Sequence, residues 1–177
     1  MGWSRDDRNS TIIPTAGRFY RANFDLSLLG DVQFLRMNLQ AQQFVTLPYD
    51  FSLGLNGEIG WGFGLGSRPY PVFKNFYSGG LGSVRVFQQN SLGVIDPTGA
   101  FVGGTRKLNA NGELYIPVPG MGNDKSLRFF VFLDVGNAWG ADQQVNWDSL
   151  RASTGLGISW ISPMGPLKLS YGTPIKY

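Results

Sequence analysis

Apolar and polar residues alternate with a period of two along most of the 177-residue chain, the spacing of β-strands rather than helices. From Tyr20 to Leu28, aromatic or aliphatic residues at even positions alternate with Arg, Asn, Asp and Ser at odd positions. The same alternation predicts eight strands, at residues 2–8, 20–28, 34–42, 51–61, 107–116, 127–136, 150–160 and 167–171. The sequence therefore predicts an all-β, antiparallel fold whose strands have one apolar and one polar face.

Such strands suit two classes of protein, a soluble sandwich or barrel and a transmembrane β-barrel. Several of the predicted strands have ten or more residues, close to the roughly 9–11 that a tilted strand needs to cross a bilayer. Aromatic residues lie near strand ends, as in an interfacial belt: Tyr20, Trp61, Trp139 and Trp160. We therefore favour an antiparallel transmembrane β-barrel with about eight strands, a polar lumen and an apolar face toward lipid.

The connections between the predicted strands differ in length. Short turns are expected at 30–31, 48–50 and 162–165, whereas residues 65–103 form one long segment. Outer-membrane barrels place short turns on the periplasmic side and long loops on the extracellular side, so we expect 65–103 to be an extracellular loop. Its apolar residues, among them Phe76, predict a packed loop that folds back into the lumen.

Composition narrows the possible chemistry. The net charge of +3 is spread along the chain without a basic run, so nucleic acid is not an expected partner. The chain has no Cys and no His, the residues that supply most metal ligands and general bases. We predict no catalytic residues, no metal site and no cofactor, and hence no enzyme. The glycines at 155 and 157 are expected to point inward and to make room for the loop.

One cation in the long segment suggests an ion pair. Arg85 lies in the loop motif Val84, Arg85, Val86 and Phe87. A guanidinium inside a barrel needs carboxylates around it, and the polar faces offer four: Asp25, Glu58, Glu113 and Asp134. Glu113 and Asp134 lie on consecutive predicted strands and could share one Arg. From the residues alone, a solvated Arg85 stays an open alternative.

Several segments resemble motifs of the BamA family of bacterial outer-membrane assembly proteins, in the order that the family has. They are GW at 2–3 with DR at 7–8, PTAG at 14–17, PVFKNFYSGG at 71–80, SVRVF at 83–87, GELYIP at 112–117, FLDVGNAW at 132–139 and WISPMGPL at 160–167. The resemblance covers essentially the whole chain. It implies part of a sixteen-stranded barrel in the bacterial outer membrane that folds and inserts other β-barrel proteins.

The resemblance also implies partners and site residues. The partners would be the lipid bilayer or detergent, unfolded outer-membrane proteins as substrates and, for the full-length protein, accessory lipoproteins. Arg85 would reach into the lumen and pair with Glu113 and Asp134. A polypeptide-secretion pore of the same superfamily is the alternative function.

The chain departs from the family pattern at three places. Val86 stands where the family has Gly, and a β-branched residue there is strained if the position requires a positive φ. The family's periplasmic domains and its last strand have no counterpart in residues 1–177. We expect a single barrel fragment that lacks the gate strands, with insertase activity in the longer parent, and Met1 to be an added start. The sequence leaves open whether eight strands close alone, dimerise or complete a larger barrel.

Overall fold

The computed structural model describes residues 1–120 and 126–177, and its regular structure is almost entirely β. The strands in these residues are β1 (Gly2–Asp6), β2 (Gly17–Ser27), β3 (Phe34–Thr46), β4 (Ser52–Gly64), β5 (Val94–Ile95), β6 (Phe101–Gly103), β7 (Arg106–Pro117), β8 (Leu127–Trp139), β9 (Arg151–Ser162) and β10 (Gly165–Lys176). Single turns of 3-10 helix lie at Pro48–Asp50, Val72–Lys74 and Trp147–Ser149.

Eight of the strands form one antiparallel sheet in the order β1-β2-β3-β4-β7-β8-β9-β10. The remaining two, β5 and β6, form a small hairpin within the connection between β4 and β7. The predicted all-β antiparallel fold of about eight strands is confirmed. In the residues that the structure describes, β1 and β10 are the two edges, so the sheet is open.

The long strands extend beyond the lengths that the alternation predicted. The last strand was predicted at 167–171 but runs over Gly165–Lys176, because Gly172 and Pro174 interrupt the alternation without ending the pairing. An edge strand tolerates a proline, which lacks a backbone donor. The seven long strands have 11 to 13 residues, enough for a tilted bilayer crossing. Over residues 1–120 and 126–177, no helix has the length and hydropathy to cross a membrane.

The two faces of the eight-stranded sheet differ in what covers them. One, the apolar face, carries exposed side chains that include Phe24, Leu26, Leu55, Ile59, Trp61, Phe129, Val131, Leu133, Leu156, Ile158 and Trp160. The other, the loop face, carries the polar positions and is covered by the segment 65–105. A soluble barrel or sandwich buries its apolar face, whereas a membrane barrel exposes it to lipid. The observed exposure therefore favours the membrane class.

The buried aromatic cluster of Tyr115, Phe130 and Phe132 lies on the loop face. The two rings from β8 fill the space above Gly155 and Gly157 of β9, where a side chain would collide with them. The expectation that these glycines make room for the loop is therefore wrong. They make room for aromatic rings of the neighbouring strand.

Connections alternate between the two ends of the sheet. Residues 7–16, 47–51 and 163–164 lie at one end, the turn end, and 28–33, 65–105 and 140–150 lie at the other, the loop end. The expectation that all short turns lie opposite the long loop is wrong for the turn at Gly30. Consecutive antiparallel strands return alternate connections to the same end, so the turn at Gly30 lies beside the long segment. Arg68 of that segment donates a hydrogen bond to the Gly30 carbonyl at 2.9 Å.

Candidate functional site

The segment 65–105 packs on the loop face through its main chain and its buried side chains. Phe76 and Gly104 exchange two backbone hydrogen bonds of 2.8 Å, which join the middle of the segment to its end, two residues before β7 begins. The Ser78 hydroxyl lies 2.6 Å from Oδ1 of Asn109 on β7, and both residues are buried. The segment therefore has a fixed place against the sheet.

Two glycines form the turn that presents Arg85. Gly79 and Gly80 have φ angles of +102° and +94°, which residues with a side chain rarely adopt. The Gly79 N–H donates to the Ser83 hydroxyl at 2.8 Å, and the Gly80 N–H donates to the Val84 carbonyl at 3.0 Å. Val84, which follows the turn, is fully buried. Its burial holds the next residue, Arg85, against β7 and β8.

The Arg85 guanidinium binds Asp134 of β8 through two parallel hydrogen bonds. Its Nε donates to Oδ2 at 2.6 Å and its Nη2 donates to Oδ1 at 2.7 Å, the bidentate geometry that suits a carboxylate. Its Nη1 donates to Oε1 of Glu113 on β7 at 2.5 Å. The guanidinium also lies 3.8 Å from the centroid of the Phe132 ring. Arg85, Glu113 and Asp134 thus lie together, and we call this group the loop anchor.

The loop anchor is buried and its polar atoms are well bonded. Asp134 has no exposed surface and Arg85 is 6% exposed. Asp134 also accepts hydrogen bonds from the Arg85 N–H at 3.1 Å and from Asn111 Nδ2 at 2.9 Å. Burial alone would lower the pKa of Arg85, but the hydrogen bonds and charges of Asp134 and Glu113 raise it above its ordinary value. The guanidinium therefore stays charged.

Glu113 has a second cationic partner that the sequence left unassigned. Lys168 of β10 donates from Nζ to both carboxylate oxygens at 2.7 Å. The hydroxyl of Tyr115 also donates to Glu113. Both Lys168 and Tyr115 stand at polar positions of the alternating pattern, which is the signal that could have suggested them. Tyr115 lies two residues from Glu113 on the same face of β7. The contact of Lys168 with Glu113 instead depends on register and curvature across four strands, which alternation does not encode.

The two other carboxylates proposed for Arg85 have different partners. Asp25 of β2 lies 3.5 Å from Arg36 of β3. Glu58 of β4 lies 2.7 Å from Lys107 of β7. Each pair joins neighbouring strands, so neither carboxylate contributes to the loop anchor.

The remaining residues of the loop motif contact the edge strand β10. Val86 has a φ of +78°, a region that costs a β-branched residue conformational energy. A β-carbon added at Gly172 of β10 would lie 3.0 Å from Cγ2 of Val86. The ring of Phe87 meets the ring of Tyr177 edge to face, with centroids 6.0 Å apart. The motif therefore contacts β7, β8, β10 and Tyr177, which follows β10.

A cavity of about 390 Å³ adjoins the loop anchor on the loop face. Its charged and aromatic lining includes Arg85, Glu113, Tyr115 and Lys168. The Lys168 side chain is 42% exposed, so water reaches one side of its ion pair. The two cations, Arg85 and Lys168, balance the charges of the two carboxylates, Glu113 and Asp134. Each of these four groups forms an ion pair with another of them. The arrangement is suited to holding the loop in one position.

Comparison with known proteins agrees with the order of the motifs. The family model described as the Omp85 superfamily domain matches residues 1–177. The chain belongs to the Omp85 superfamily. Among Omp85 proteins, the resemblance to BamA that the motifs indicated is confirmed by sequence relatives and by a solved structure.

The Omp85 relatives of this chain include two proteins named outer membrane protein assembly factor BamA. The one from Neisseria meningitidis serogroup B is 34% identical over 99% of this chain and 26% of its own length. The one from Nitratidesulfovibrio vulgaris is 30% identical over 98% of this chain and 22% of its own length. This chain therefore spans about a quarter of the length of these curated relatives.

A crystal structure of BamA from Haemophilus ducreyi, lacking POTRA domains 1–3, has the same fold. The TM-score is 0.87 at 27% identity, and the match covers 99% of this chain and 38% of that one. The eight-stranded sheet and its long loop therefore correspond to one part of an Omp85 barrel.

Proposed function

We propose that this chain is the barrel portion of an assembly factor that folds and inserts β-barrel proteins into the bacterial outer membrane. The observation that carries the proposal is the match of nearly the whole chain to assembly factors named BamA. Unfolded outer-membrane proteins would be the substrates. Accessory lipoproteins would bind the full-length protein.

The apolar face supports a location in the membrane. Leu133, Leu156 and Trp160 stay exposed there, and lipid or detergent would cover them. With the sheet spanning the outer membrane, the loop end and residues 65–103 would face the extracellular side.

Within this function, the loop motif would hold the long loop against the lumen wall. The buried pair between Arg85 and Asp134 supports that role, because neither charge could be left alone without a large cost. Holding the loop requires no bond to be made or broken, so we propose no enzymatic step and no cofactor. A barrel whose loop stays bound also argues against the alternative, a polypeptide-secretion pore, which needs its lumen to open.

A chimera tests the proposal. The corresponding barrel segment of Neisseria meningitidis BamA is replaced by this chain, and the heat-modifiable, folded fraction of outer-membrane porins is measured after depletion of the native factor. We expect assembly to continue, and to fall in a chimera that carries Arg85→Ala. The matched control is Arg68→Ala, which removes an exposed loop arginine. A chimera that is folded in the membrane but assembles no porin would contradict the proposal. High ion conductance of that chimera in planar bilayers would support the secretion pore instead.

A further inference from the structure

The ion pair between Lys168 and Glu113 joins strands that are not neighbours. β8 and β9 lie between β7 and β10, so in a flat sheet the outer two would be roughly 14 Å apart. Following the pairing from Glu113 leads to Phe132, then Gly155, then Gly172. Lys168 lies four residues from that last position, about 13 Å further along the strand. A contact of 2.7 Å therefore requires these strands to bend strongly toward the loop face.

The residues between the two strands leave a path for this contact. On the loop face, β9 has glycine at 155 and 157, and the Phe130 ring from β8 fills the space over Gly157. The Lys168 ammonium lies 4.6 Å from the centroid of that ring and 5.5 Å from the Tyr115 ring. Attraction between the Lys168 ammonium and these two rings therefore stabilises the same position of Lys168 as its ion pair with Glu113.

The same carboxylate also receives the loop. Glu113 accepts from Arg85 at 2.5 Å and from Lys168 at 2.7 Å. Arg85 in turn binds Asp134 of β8, and Val86 packs on Gly172 of β10. The loop and the edge strand therefore share one binding partner in β7.

We propose that Lys168 is a positioning residue for the loop anchor. By binding Glu113 it fixes the curvature of β7–β10, and so links the binding of Arg85 to the position of the edge strand β10. The inference rests on the proposed role of the loop motif in holding the loop. Because coupling between two sites is reciprocal, release of β10 weakens the hold on the loop, and release of the loop weakens the hold on β10.

Two reporters separate the loop from the curvature. The chain has no Cys, so each introduced thiol is unique. In the first reporter, Val84→Cys, the buried thiol reacts with a maleimide only when the loop leaves the sheet. In the second, nitroxides at Tyr49→Cys and Met164→Cys, both exposed at the turn end, report a distance by pulsed electron spin resonance. That distance grows when the sheet flattens. Both are measured on the 177-residue chain in phospholipid vesicles.

Lys168→Met removes the charge and keeps a similar side-chain length. We expect thiol labelling about fivefold faster, since the pair is partly exposed to water, together with a shift to longer nitroxide distances. Lys168→Arg should retain the behaviour of the unmodified chain in both readouts. Lys107→Met is the matched control, because its ion pair of 2.7 Å with Glu58 joins adjacent strands and should leave curvature and labelling unchanged. If Lys168→Met folds poorly, Lys168→Gln gives the same two readouts.

The outcomes distinguish the inference from the function on which it rests. If Arg85→Met accelerates labelling but Lys168→Met changes neither readout, the loop anchor stands and the coupling is overturned. Faster labelling in Lys168→Met without a change in distance also overturns it, because Lys168 would then act on Glu113 alone. If Arg85→Met leaves labelling unchanged, the proposed anchor itself fails and the inference falls with it.

Discussion

Val86 of the loop motif packs on the backbone of Gly172 in β10, at a point where Val86 has a φ of +78°. The two properties belong together, because the strained backbone directs the isopropyl group toward a strand position that has no side chain. A β-carbon on Gly172 would lie only 3.0 Å from Val86 Cγ2. The contact with the edge strand is thus made at the expense of backbone strain in the loop.

The strain at Val86 predicts that a glycine there stabilises the loop. Positive φ costs a residue other than glycine about 1–3 kcal/mol, whereas the valine side chain is 46% exposed and loses little packing. We expect Val86→Gly to raise the urea midpoint of loop protection from protease. Val86→Ala is the control, since alanine keeps the strain. An equal gain from Val86→Ala would show that side-chain volume, not φ, sets the stability.

The buried loop anchor predicts a large loss on truncation. Arg85→Ala leaves Asp134 buried without its main partner, and we expect a loss of about 3–5 kcal/mol. Arg85→Lys should restore only part of it, because a single ammonium nitrogen cannot replace the planar fork in which Nε and Nη2 bind Asp134 while Nη1 binds Glu113. The measurement is denaturant unfolding followed by heat-modifiable gel migration. Arg68→Ala, which removes an exposed arginine of the same segment, should change little. Unchanged migration and protease resistance in Arg85→Ala would rule out the anchor.

Two glycines of β4 should respond oppositely to the same substitution. A β-carbon at Gly60 would lie 2.6 Å from the buried Phe76 ring, so Gly60→Ala should cost about 1–3 kcal/mol. Gly57 has no atom within 4 Å of the equivalent point, so Gly57→Ala should be neutral or slightly stabilising. Unfolding midpoints of the two variants in one lipid test this. Similar midpoints would mean that Phe76 does not pack over Gly60.

The exposed apolar face predicts sensitivity to charge that depends on depth in the membrane. Leu133 lies midway along β8, and Leu133→Lys should destabilise the protein in phospholipid by about 2–4 kcal/mol. Tyr49→Lys, at an exposed turn, should have little effect. Reversible unfolding in vesicles gives both values. Equal tolerance of the two substitutions would mean that lipid does not cover this face.

Local pattern and long-range geometry differ in how far the sequence reveals them. Alternation was enough to identify eight strands and both faces, because side chains of a strand point to opposite sides with a period of two. Motif order named Arg85, Glu113 and Asp134. Alternation placed Lys168 on the polar face, but neither pattern could reveal its contact with Glu113, because that contact depends on how four strands bend.

Two further features lay outside what the pattern could give. The full length of β10 was hidden by Gly172 and Pro174, which break the alternation but remain paired. The partners of Asp25 and Glu58 are cations on adjacent strands, and choosing among several cations requires the register between strands.

The position of the loop anchor in the chain sets when it can form. Arg85 precedes Asp134 by 49 residues, and Glu113 precedes Lys168 by 55. Neighbouring strands β1–β4 can pair through local contacts, whereas distant contacts form more slowly. In a chain that emerges from its N-terminus, the long loop is therefore present well before the strands that bind it. We therefore expect binding of the loop to be a late step of folding, one that requires β7 and β8 to be in place.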